Sequence, residues 1–309
     1  MTYESFVPEK KIKKISFSVQ SDEECKFLSR VLINDYTGIE NGKSKSGSLY
    51  DLKTGTVTSE KCATCSLTAN ECTGHFGLIE FAYPIINTQF ISIVFAVLQC
   101  MCYKCNNLLF PPETHEKYLN VNDKHKRLML CKKDSKKYRS KECTYCGFLN
   151  DSIIFKIKKK VMIMISDMKE KKLYNPNIIK STFAKLKNRD LDILGLDPDH
   201  SRPENMIKNV MLVAPPNIRP VIFSNEFSNK SEDNLFVLFA DVIKANNELL
   251  EQLNTKSIDD STVLDYYATL CIEVTKMFNN KIPTDTGYYA NKSKPLSSIK
   301  DMLKGKDGL

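Results

Sequence analysis

The chain has 309 residues, of which 42% are hydrophobic and 27% charged, and its formal net charge is +8. This balance is typical of a globular protein, and the length allows one large domain or two to three smaller ones. No stretch approaches the roughly 20 apolar residues of a membrane span, and the opening MTYESFVPEKKIKK lacks the apolar core of a secretory signal. We therefore expect an intracellular protein without a membrane segment.

The sequence contains eleven cysteines, of which seven fall into tight clusters. Disulfide scaffolds are usually short, secreted and cysteine-dense, so the clusters favour thiolate metal ligands in a reducing compartment. The other four, Cys25, Cys100, Cys131 and Cys271, stand alone. We expect them to be small buried core residues.

The first third of the chain predicts four elements. Residues 9–20 alternate between polar and apolar, which is typical of a half-buried strand. SDEECKFLSRVLI opens with Ser21 as an N-cap and predicts a helix. GLIEFAYPII predicts a strand, and NTQFISIVFAVLQCM predicts a buried helix that leads to Cys102.

The later segments differ in character. Residues 110–190 are Lys-rich with a helical pattern, interrupted by the apolar VMIMI, and residues 194–223 are Pro-rich and predict turns around short extended pieces. Residues 224–234 are polar and predict an exposed loop. Helices are predicted over 235–253 and 259–279, followed by a polar, basic tail over 284–309.

The first cysteine cluster reads Cys62-x2-Cys65-x6-Cys72-x2-His75. A tight turn can point both sulfurs of a CxxC pair at one tetrahedral centre, and the second pair then closes the site. Gly74 and Gly77 flank the histidine, where we expect the backbone to bend. Four such ligands leave no open coordination position, so the pattern predicts a structural zinc. A redox or nucleophilic cysteine, including a Cys72–His75 dyad, would not need the other two ligands.

A second set consists of Cys102-x2-Cys105 and, 37 residues later, Cys143-x2-Cys146. Each pair has zinc-knuckle spacing, and Gly147 follows the second pair. One shared zinc is the main interpretation. Two unrelated turns, or Cys100 or Cys131 in place of one ligand, are the alternatives. Both zincs would let segments 50–80 and 100–150 hold their shape without large cores of their own.

The positive charge is concentrated between Lys124 and Lys160, a stretch that contains thirteen Lys and Arg residues and only three Asp and Glu residues. Such a stretch is either a solvated surface or a contact for a polyanion, most often nucleic acid. No glycine-rich nucleotide-binding loop and no internal repeat accompany it.

Several blocks are similar to one family. GSLYDLKTGTVTSEKCATCSLTANECTGHFGLIEF resembles the zinc-bearing N-terminal stretch of the largest subunit of cellular multisubunit RNA polymerases. SRPENMI, VAPPNIRPVI, NLFVLFADVIKANNELL and LKGKDG resemble later blocks of that subunit in the same order. The family subunit is several times longer, so the chain resembles its N-terminal portion, the clamp. This implies an irregular α+β fold with helices packed on short strands and two structural zinc sites.

The resemblance also implies an organisation. Residues 1–90 would form the clamp core with the first zinc site, and 91–200 the clamp head with the second zinc site and the basic stretch. Residues 201–309 would return to the core. They would carry the lid, which separates RNA from template DNA, near 224–234, a helical pair, the rudder near 284–298, and the switch region in the tail. The nucleic-acid-binding lysines implied by these segments are Lys292, Lys294, Lys300, Lys304 and Lys306.

The departures from the family pattern concern catalysis. The aspartate triad that binds the catalytic Mg²⁺, the bridge helix and the trigger loop do not occur in this sequence. We expect Mg²⁺ only in the assembled enzyme, with this chain non-catalytic by itself. Either the sequence is a portion of a longer chain or the organism encodes this subunit in pieces.

The resemblance implies the remainder of the largest subunit, the second-largest subunit and other polymerase subunits as partners, together with the DNA template and the RNA–DNA hybrid. The alternative hypothesis is a free-standing zinc-ribbon nucleic-acid-binding or adaptor protein. Lys- and Asn-rich usage without tryptophan suggests an AT-rich genome, such as that of a large DNA virus. The expected location is then the nucleus, or the virion and host cytoplasm for a viral protein.

Overall fold

The computed structural model describes residues 11–40, 43–57, 59–150, 153–158, 162–167, 176–220, 222–224, 229–258, 260–280 and 296–304. Within 153–167 and 222–231 the description covers the backbone alone.

Helices and short strands alternate along these residues. The helices are α1 (Asp22–Leu28), α2 (Ile91–Cys100), α3 (His115–Leu119), α4 (Lys124–Arg139), α5 (Pro176–Phe183), α6 (Asn188–Leu194), α7 (Asn234–Leu253), α8 (Ser261–Phe278) and α9 (Ile299–Leu303). The strands are β1 (Ser29–Leu32), β2 (Ile39–Glu40), β3 (Lys43–Ser44), β4 (Phe76–Ile86), β5 (Ile153–Lys158), β6 (Met162–Asp167), β7 (Ile207–Val213), β8 (Ile222–Ser224) and β9 (Asn229–Ser231). The mixture confirms the α+β class. No helix of the described residues has the length and apolar character to cross a membrane.

The largest sheet has the order β1–β4–β7, with β1 parallel and β7 antiparallel to the central β4. The pairing of β4 with β7 shifts between Glu80 and Ile85. Asn246 of α7 occupies this irregularity: its Oδ1 accepts a hydrogen bond from Ala82 N at 2.8 Å, and its Nδ2 donates to Glu80 O at 2.9 Å. Leaving such buried backbone groups unpaired would cost about 1–3 kcal/mol each. The side chain therefore fixes α7 against the sheet.

The first hydrophobic core lies between this sheet and the helix pair α7–α8. The buried positions of α7 recur at helical spacing, which gives the helix one continuous apolar face. Asp233 caps α7 by accepting from Leu235 N, and Asp260 caps α8 by accepting from Thr262 N, both at 2.8 Å. The predicted helices over 235–253 and 259–279 are confirmed.

The second hydrophobic core lies among α2, α4, α5 and α6. Phe110 is completely buried at its centre, with its ring 4.8 Å from that of Tyr118 and 5.6 Å from that of Tyr138. Leu128 and Cys131 of α4 pack into the same core. Segment 100–150 therefore packs into a large core, which it shares with α2, α5 and α6.

Three further predictions are confirmed in full, and the helix predicted over SDEECKFLSRVLI is confirmed as far as Leu28. Helix α1 begins after Ser21, whose Oγ accepts from Glu24 N while Glu24 accepts from Ser21 N, a reciprocal capping box. The predicted strand GLIEFAYPII lies within β4, and the predicted helix before Cys102 is α2. Residues 194–223 hold β7 between 3₁₀ turns at Pro203–Met206 and Pro216–Ile218.

Two local predictions are wrong. Residues 11–20 form no strand, because no neighbouring strand pairs with them in the described structure, and Ile12, Ile15 and Phe17 are exposed. The helix predicted to continue through SRVLI is also wrong beyond Leu28, because Ser29–Leu32 form β1. The apolar interruption expected at VMIMI lies largely in β6, which pairs with β5 in a hairpin.

The four lone cysteines are buried, as predicted. Cys25 lies beside β7, Cys100 and Cys131 in the second core, and Cys271 in the first. Cys100 and Cys131 do not belong to either metal cluster, so the alternative that one of them replaces a ligand is wrong.

Candidate metal centres

The four residues of the first predicted site, Cys62, Cys65, Cys72 and His75, converge, with their ligand atoms all within 4.8 Å of one another. Cys65 Sγ lies 3.5 Å from Cys72 Sγ, which lies 3.7 Å from Nε2 of His75. Zinc bonds of about 2.0–2.3 Å in a tetrahedron separate neighbouring ligand atoms by about 3.4–3.8 Å. All eleven cysteines are free thiols, so no disulfide competes for these sulfurs. The geometry fits a closed metal site.

A tight turn presents the first pair of thiols. Ser66 N donates to Cys62 O at 2.8 Å, and Ser66 has a left-handed φ of 61°. Thr64 N also donates to Cys62 Sγ at 3.4 Å. Such amide donors stabilise a thiolate over a thiol. The turn therefore favours the thiolate form of Cys62, which can bind a cation.

The second pair depends on Gly74. Its φ of +84° favours glycine, and a Cβ there would lie 2.3 Å from Asn217 Oδ1 and 2.6 Å from Pro215 Cβ. Its amide donates to Cys72 Sγ at 3.4 Å, and the next residue is tied to the core by His75 N donating to Thr54 O at 2.8 Å. The predicted bend at Gly74 is confirmed.

Gly77 does not bend the backbone in the left-handed way that Gly74 does. It lies in β4, paired with Val31 and Val213, and a Cβ would come within 2.7 Å of Ile33 Cγ1. Its predicted role is therefore wrong: the position needs glycine because Ile33 packs directly against the strand.

The second predicted set also converges, because the ligand atoms of Cys102, Cys105, Cys143 and Cys146 lie within 4.8 Å of one another. Cys102 Sγ is 3.6 Å from Cys146 Sγ, and Cys105 Sγ is 3.7 Å from Cys143 Sγ. The long separation in sequence is bridged by α3 and α4, which fold back through the second core. The shared-site interpretation is the one that this geometry supports.

Both turns of this centre repeat the geometry of the Cys62 turn. The residue after the second cysteine, Asn106 or Gly147, has a φ of 63° or 68° and donates its amide to the first cysteine's carbonyl at 2.9 or 2.8 Å. Sequence reasoning identified Gly147 but not Asn106 or Ser66. Asparagine tolerates the left-handed region better than most residues, which was the available signal for Asn106.

Asn150 joins the two turns of the second centre and was not identified from the sequence. It is buried, its Oδ1 accepts from Tyr103 N at 2.8 Å, and its Nδ2 donates to Phe148 O at 3.2 Å and lies 3.6 Å from Cys102 Sγ. One side chain thus contacts a ligand and fixes the backbone of both turns.

The electrostatics of both clusters favour a cation. Burial raises the pKa of the Cys72 thiol to about 11 and that of Cys143 to about 12. Burial also opposes ionisation of Cys105, but hydrogen bonds from Asn107 outweigh it and lower that pKa to about 7. The adjacent thiols of each cluster cannot all ionise without repulsion between their negative charges. A divalent cation that displaces their protons would balance this charge.

A third group of possible ligands, Asp197, Asp199 and His200, lies near the surface. Asp197 is already engaged: it accepts from Asp199 N at 3.0 Å and pairs with Lys124 Nζ at 3.2 Å. The Asp199 amide and Lys124 hold its pKa at about 2. These contacts describe a capped turn.

Two of the five lysines expected to bind nucleic acid lie in the described residues. Lys300 is on α9 and Lys304 at its C-terminal end, and both are exposed. Lys292, Lys294 and Lys306 lie outside the described residues, as do most of the predicted rudder and the centre of the predicted lid. Within the loop predicted over 224–234, Ser224 ends β8, residues 229–231 form β9, and Asn234 begins α7.

The described basic residues of this stretch lie on α4, at Lys141 and in β5, and those of α4 together with Lys141 fall into two groups. Lys124 and Lys126 form ion pairs, Arg127 donates to backbone carbonyls of Val121 and Asp192, and Lys132 Nζ lies 5.2 Å from the centroid of the Phe95 ring. The remaining exposed lysines are Lys133, Lys136, Lys137 and Lys141. Among the described side chains of this stretch, the second group is the part available as an electrostatic surface.

The family assignment follows from the whole length of the chain. The model of the family described as RNA polymerase Rpb1, domain 1, matches residues 9–309. The chain belongs to this family. The sequence-based assignment to the N-terminal part of the largest RNA polymerase subunit is confirmed.

Relatives of this Rpb1 domain 1 chain occur in archaea and eukaryotes. The DNA-directed RNA polymerase subunit Rpo1N of Methanothermobacter thermautotrophicus is 29% identical over 306 residues, which cover 97% of this chain and 34% of the relative. Rpo1N of Sulfolobus acidocaldarius is 29% identical over 97% of this chain and 35% of its own. The RNA polymerase II subunit RPB1 of Euplotoides octocarinatus is 28% identical over 99% of this chain and 67% of its own. The chain spans about a third of the archaeal relatives.

Proposed function

We propose that this chain is the N-terminal clamp portion of the largest subunit of a DNA-directed RNA polymerase, where it holds the template DNA and the RNA–DNA hybrid during transcription. The observation that carries the proposal is the presence of two four-ligand centres in a chain that matches Rpb1 domain 1 from residue 9 to residue 309. A fold with two closed metal sites and exposed lysines can grip nucleic acid.

Both centres are proposed to hold a structural Zn²⁺. Cysteine and histidine are the ligands that zinc prefers, and four protein ligands leave no position for a substrate or an activated water. Nucleotidyl transfer would be performed by the assembled enzyme at a Mg²⁺ held outside this chain.

The proposed partners are the remainder of the largest subunit, the second-largest subunit and the other polymerase subunits. The N-terminal part of the chain supports this, since Ile12, Phe17 and Phe27 are 79%, 91% and 81% exposed. Burial against a partner subunit would remove these large apolar side chains from water. The proposed location is intracellular, in the nucleus or, for a viral enzyme, in the virion and host cytoplasm.

The proposed domain organisation is a core, a head inserted into it, and a return to the core. The buried residues of the second hydrophobic core come from 86–207, whereas those of the first come from 33–85 and 211–277. This division supports the proposed head at 91–200, with junctions a few residues from the predicted boundaries.

The lysines Lys292, Lys294, Lys300, Lys304 and Lys306 are proposed to face the template and the hybrid. Contacts with phosphates would add salt dependence without sequence preference. Replacing Lys304 and Lys306 by alanine in the assembled polymerase should shorten the lifetime of open complexes. Unchanged lifetime and salt sensitivity would mean that the tail is a solvated surface.

Affinity purification of the tagged chain from its own cells tests the main proposal. We expect polymerase subunits in the eluate, two zinc equivalents per chain, and RNA synthesis on a tailed template. Recovery of the chain without polymerase subunits, and without synthesis activity, would contradict the proposal.

A further inference from the structure

A completely buried arginine lies outside the candidate metal centres. Arg219 ends the 3₁₀ turn after β7, and it is the largest side chain that is completely buried among the described residues. Arginine is almost never fully buried without a specific set of partners. Its surroundings therefore need an explanation.

The guanidinium of Arg219 joins three segments of the chain. Its Nε donates to Ala214 O at 2.8 Å, and its Nη2 donates to Leu49 O. The guanidinium lies over the ring of Tyr50, 4.9 Å from the centroid. On that same ring Phe236 is stacked, with centroids 5.1 Å apart and planes 12° apart. We call Arg219, Tyr50 and Phe236 the Arg–Tyr–Phe stack.

This stack stands at the base of the hairpin β8–β9. Strand β8 begins at Ile222, three residues after Arg219, and β9 ends at Ser231, five residues before Phe236 in the first turn of α7. The chain therefore enters and leaves the hairpin through two members of the stack. Tyr50, from the segment that leads to the first metal centre, lies between them.

The contacts of Arg219 indicate that it positions the segments around it. A buried cation is costly unless it is paired, and no carboxylate forms an ion pair with this guanidinium among the described residues. The planar fork instead donates to two backbone carbonyls while its face stacks on an aromatic ring, a combination that lysine cannot reproduce.

The charge is retained in this setting. Burial lowers the pKa of Arg219 to about 10, with Tyr50 and Asp233 opposing that shift, so the side chain stays protonated at neutral pH. The cation–π contact with Tyr50 partly compensates for the lost water.

We infer that Arg219 is the positioning residue of the hairpin β8–β9, which it holds by fixing both ends of the hairpin through the Arg–Tyr–Phe stack. The inference about what the hairpin does rests on the proposed function, in which this segment separates the transcript from the template. The inference about position rests on the contacts alone.

The test uses assembled polymerase carrying Arg219→Met or Arg219→Lys in this chain. Hydrogen exchange of the amides of 222–231 reports the position of the hairpin, and nuclease protection of the transcript reports the length of the RNA–DNA hybrid. We expect both variants to increase exchange of the hairpin amides at least tenfold and to lengthen the hybrid. Zinc content and exchange in the middle of α7 should stay unchanged.

Arg127→Met is the matched control, because Arg127 also donates to backbone carbonyls but lies on α4, next to Leu128 of the second core. It should leave exchange of the hairpin amides unchanged. Tyr50→Leu and Tyr50→Phe form a second pair that keeps Arg219 in place. The first removes the ring and should loosen the hairpin, and the second keeps the ring and should not. This pair decides the question if the Arg219 variants do not assemble.

The outcomes are distinguishable. Unchanged exchange at 222–231 in Arg219→Met, or in Tyr50→Leu, overturns the inference, as does an equal increase throughout α7, which would show general destabilisation. Increased exchange confined to the hairpin with an unchanged hybrid supports the positioning role and overturns the hairpin's part in strand separation.

Discussion

The two metal centres have the same kind of ligands but stand in different structural settings. Between residues 59 and 75, which contain the first centre, the only buried side chains are those of Cys62 and Cys72, and no helix or strand forms. The turns of the second centre flank α3 and α4, which pack around Phe110 and Tyr118. A bound metal would therefore stand in place of a hydrophobic core at the first centre and supplement one at the second. The first set has three cysteines and a histidine and the second has four cysteines, so similar ligand sets lie in unequal structural settings.

The largest expected difference concerns loss of a ligand. Apparent binding free energies of structural zinc are roughly 10–16 kcal/mol, and in the first centre little else holds the chain. Cys72→Ser should therefore abolish the protection of amides 59–75 against hydrogen exchange. Cys143→Ser should lower the protection of α4 without abolishing it, because Leu128 and Cys131 stay buried. Each variant should bind one zinc instead of two. Equal loss of protection in both segments would remove the distinction between the centres.

A second comparison uses the glycines of the two centres. Gly74 and Gly147 both have a left-handed φ, but a Cβ at Gly74 would collide with Asn217 and Pro215, whereas at Gly147 it meets nothing within 4 Å. Left-handed backbone costs a non-glycine residue about 1–2 kcal/mol, and overpacking adds about 1–3 kcal/mol. Gly147→Ala should therefore lower the free energy of unfolding by about 1 kcal/mol, and Gly74→Ala by about 2–5 kcal/mol. Urea titration of the zinc-loaded variants measures both. A larger loss at Gly147 would contradict the packing argument.

Side-chain amides near each centre give a third comparison. Asn150 is buried and contacts both turns of the second centre, whereas Asn217 is exposed and donates to Thr73 O beside the first, at 2.6 Å. Loss of a partner that orients metal ligands typically costs about 10–100-fold in affinity. Asn150→Ala should lower zinc affinity of the second centre by about that factor and leave the first unchanged. Asn217→Ala should have a smaller effect, confined to the first. Competition with a chromophoric chelator resolves the two affinities.

The smallest expected effect concerns the surface of α4 beside the second centre. Replacing Lys133, Lys136 and Lys137 with glutamine should leave zinc content and stability unchanged. It should weaken binding of duplex DNA by the assembled polymerase about tenfold at low salt, because each lost phosphate contact reduces the salt slope by about 0.9. Lys132→Gln is the control, since Lys132 lies over the ring of Phe95. An unchanged salt slope in the triple variant would assign these lysines to solvation.

Sequence patterns predicted the helices and turns that are determined by neighbouring residues, through capping, apolar spacing or turn geometry. The capping box at Ser21 and Glu24 identified α1, and the apolar spacing of 235–253 identified α7. The CxxC and CxxH spacings predicted the two sets of four residues that the structure brings together, because a short turn alone determines where two such side chains can point. The two segments 11–20 and 29–32 were misassigned because a strand is defined by its partner, which a local pattern does not contain.

Other features were decided by the tertiary structure, because they depend on residues far apart in the chain. Asn246 pairs with the irregularity of β4 more than 160 residues away, Asn150 joins turns whose cysteines are 37 residues apart, and Arg219 reaches Leu49 and Tyr50. The existence of a core around Phe110 also emerged only when α2, α4, α5 and α6 came together. The sequence by itself determined the candidate metal-ligand sets and the family motifs, because both consist of short contiguous residue patterns. The amount of hydrophobic packing around each candidate centre was decided by the tertiary structure, which no local pattern records.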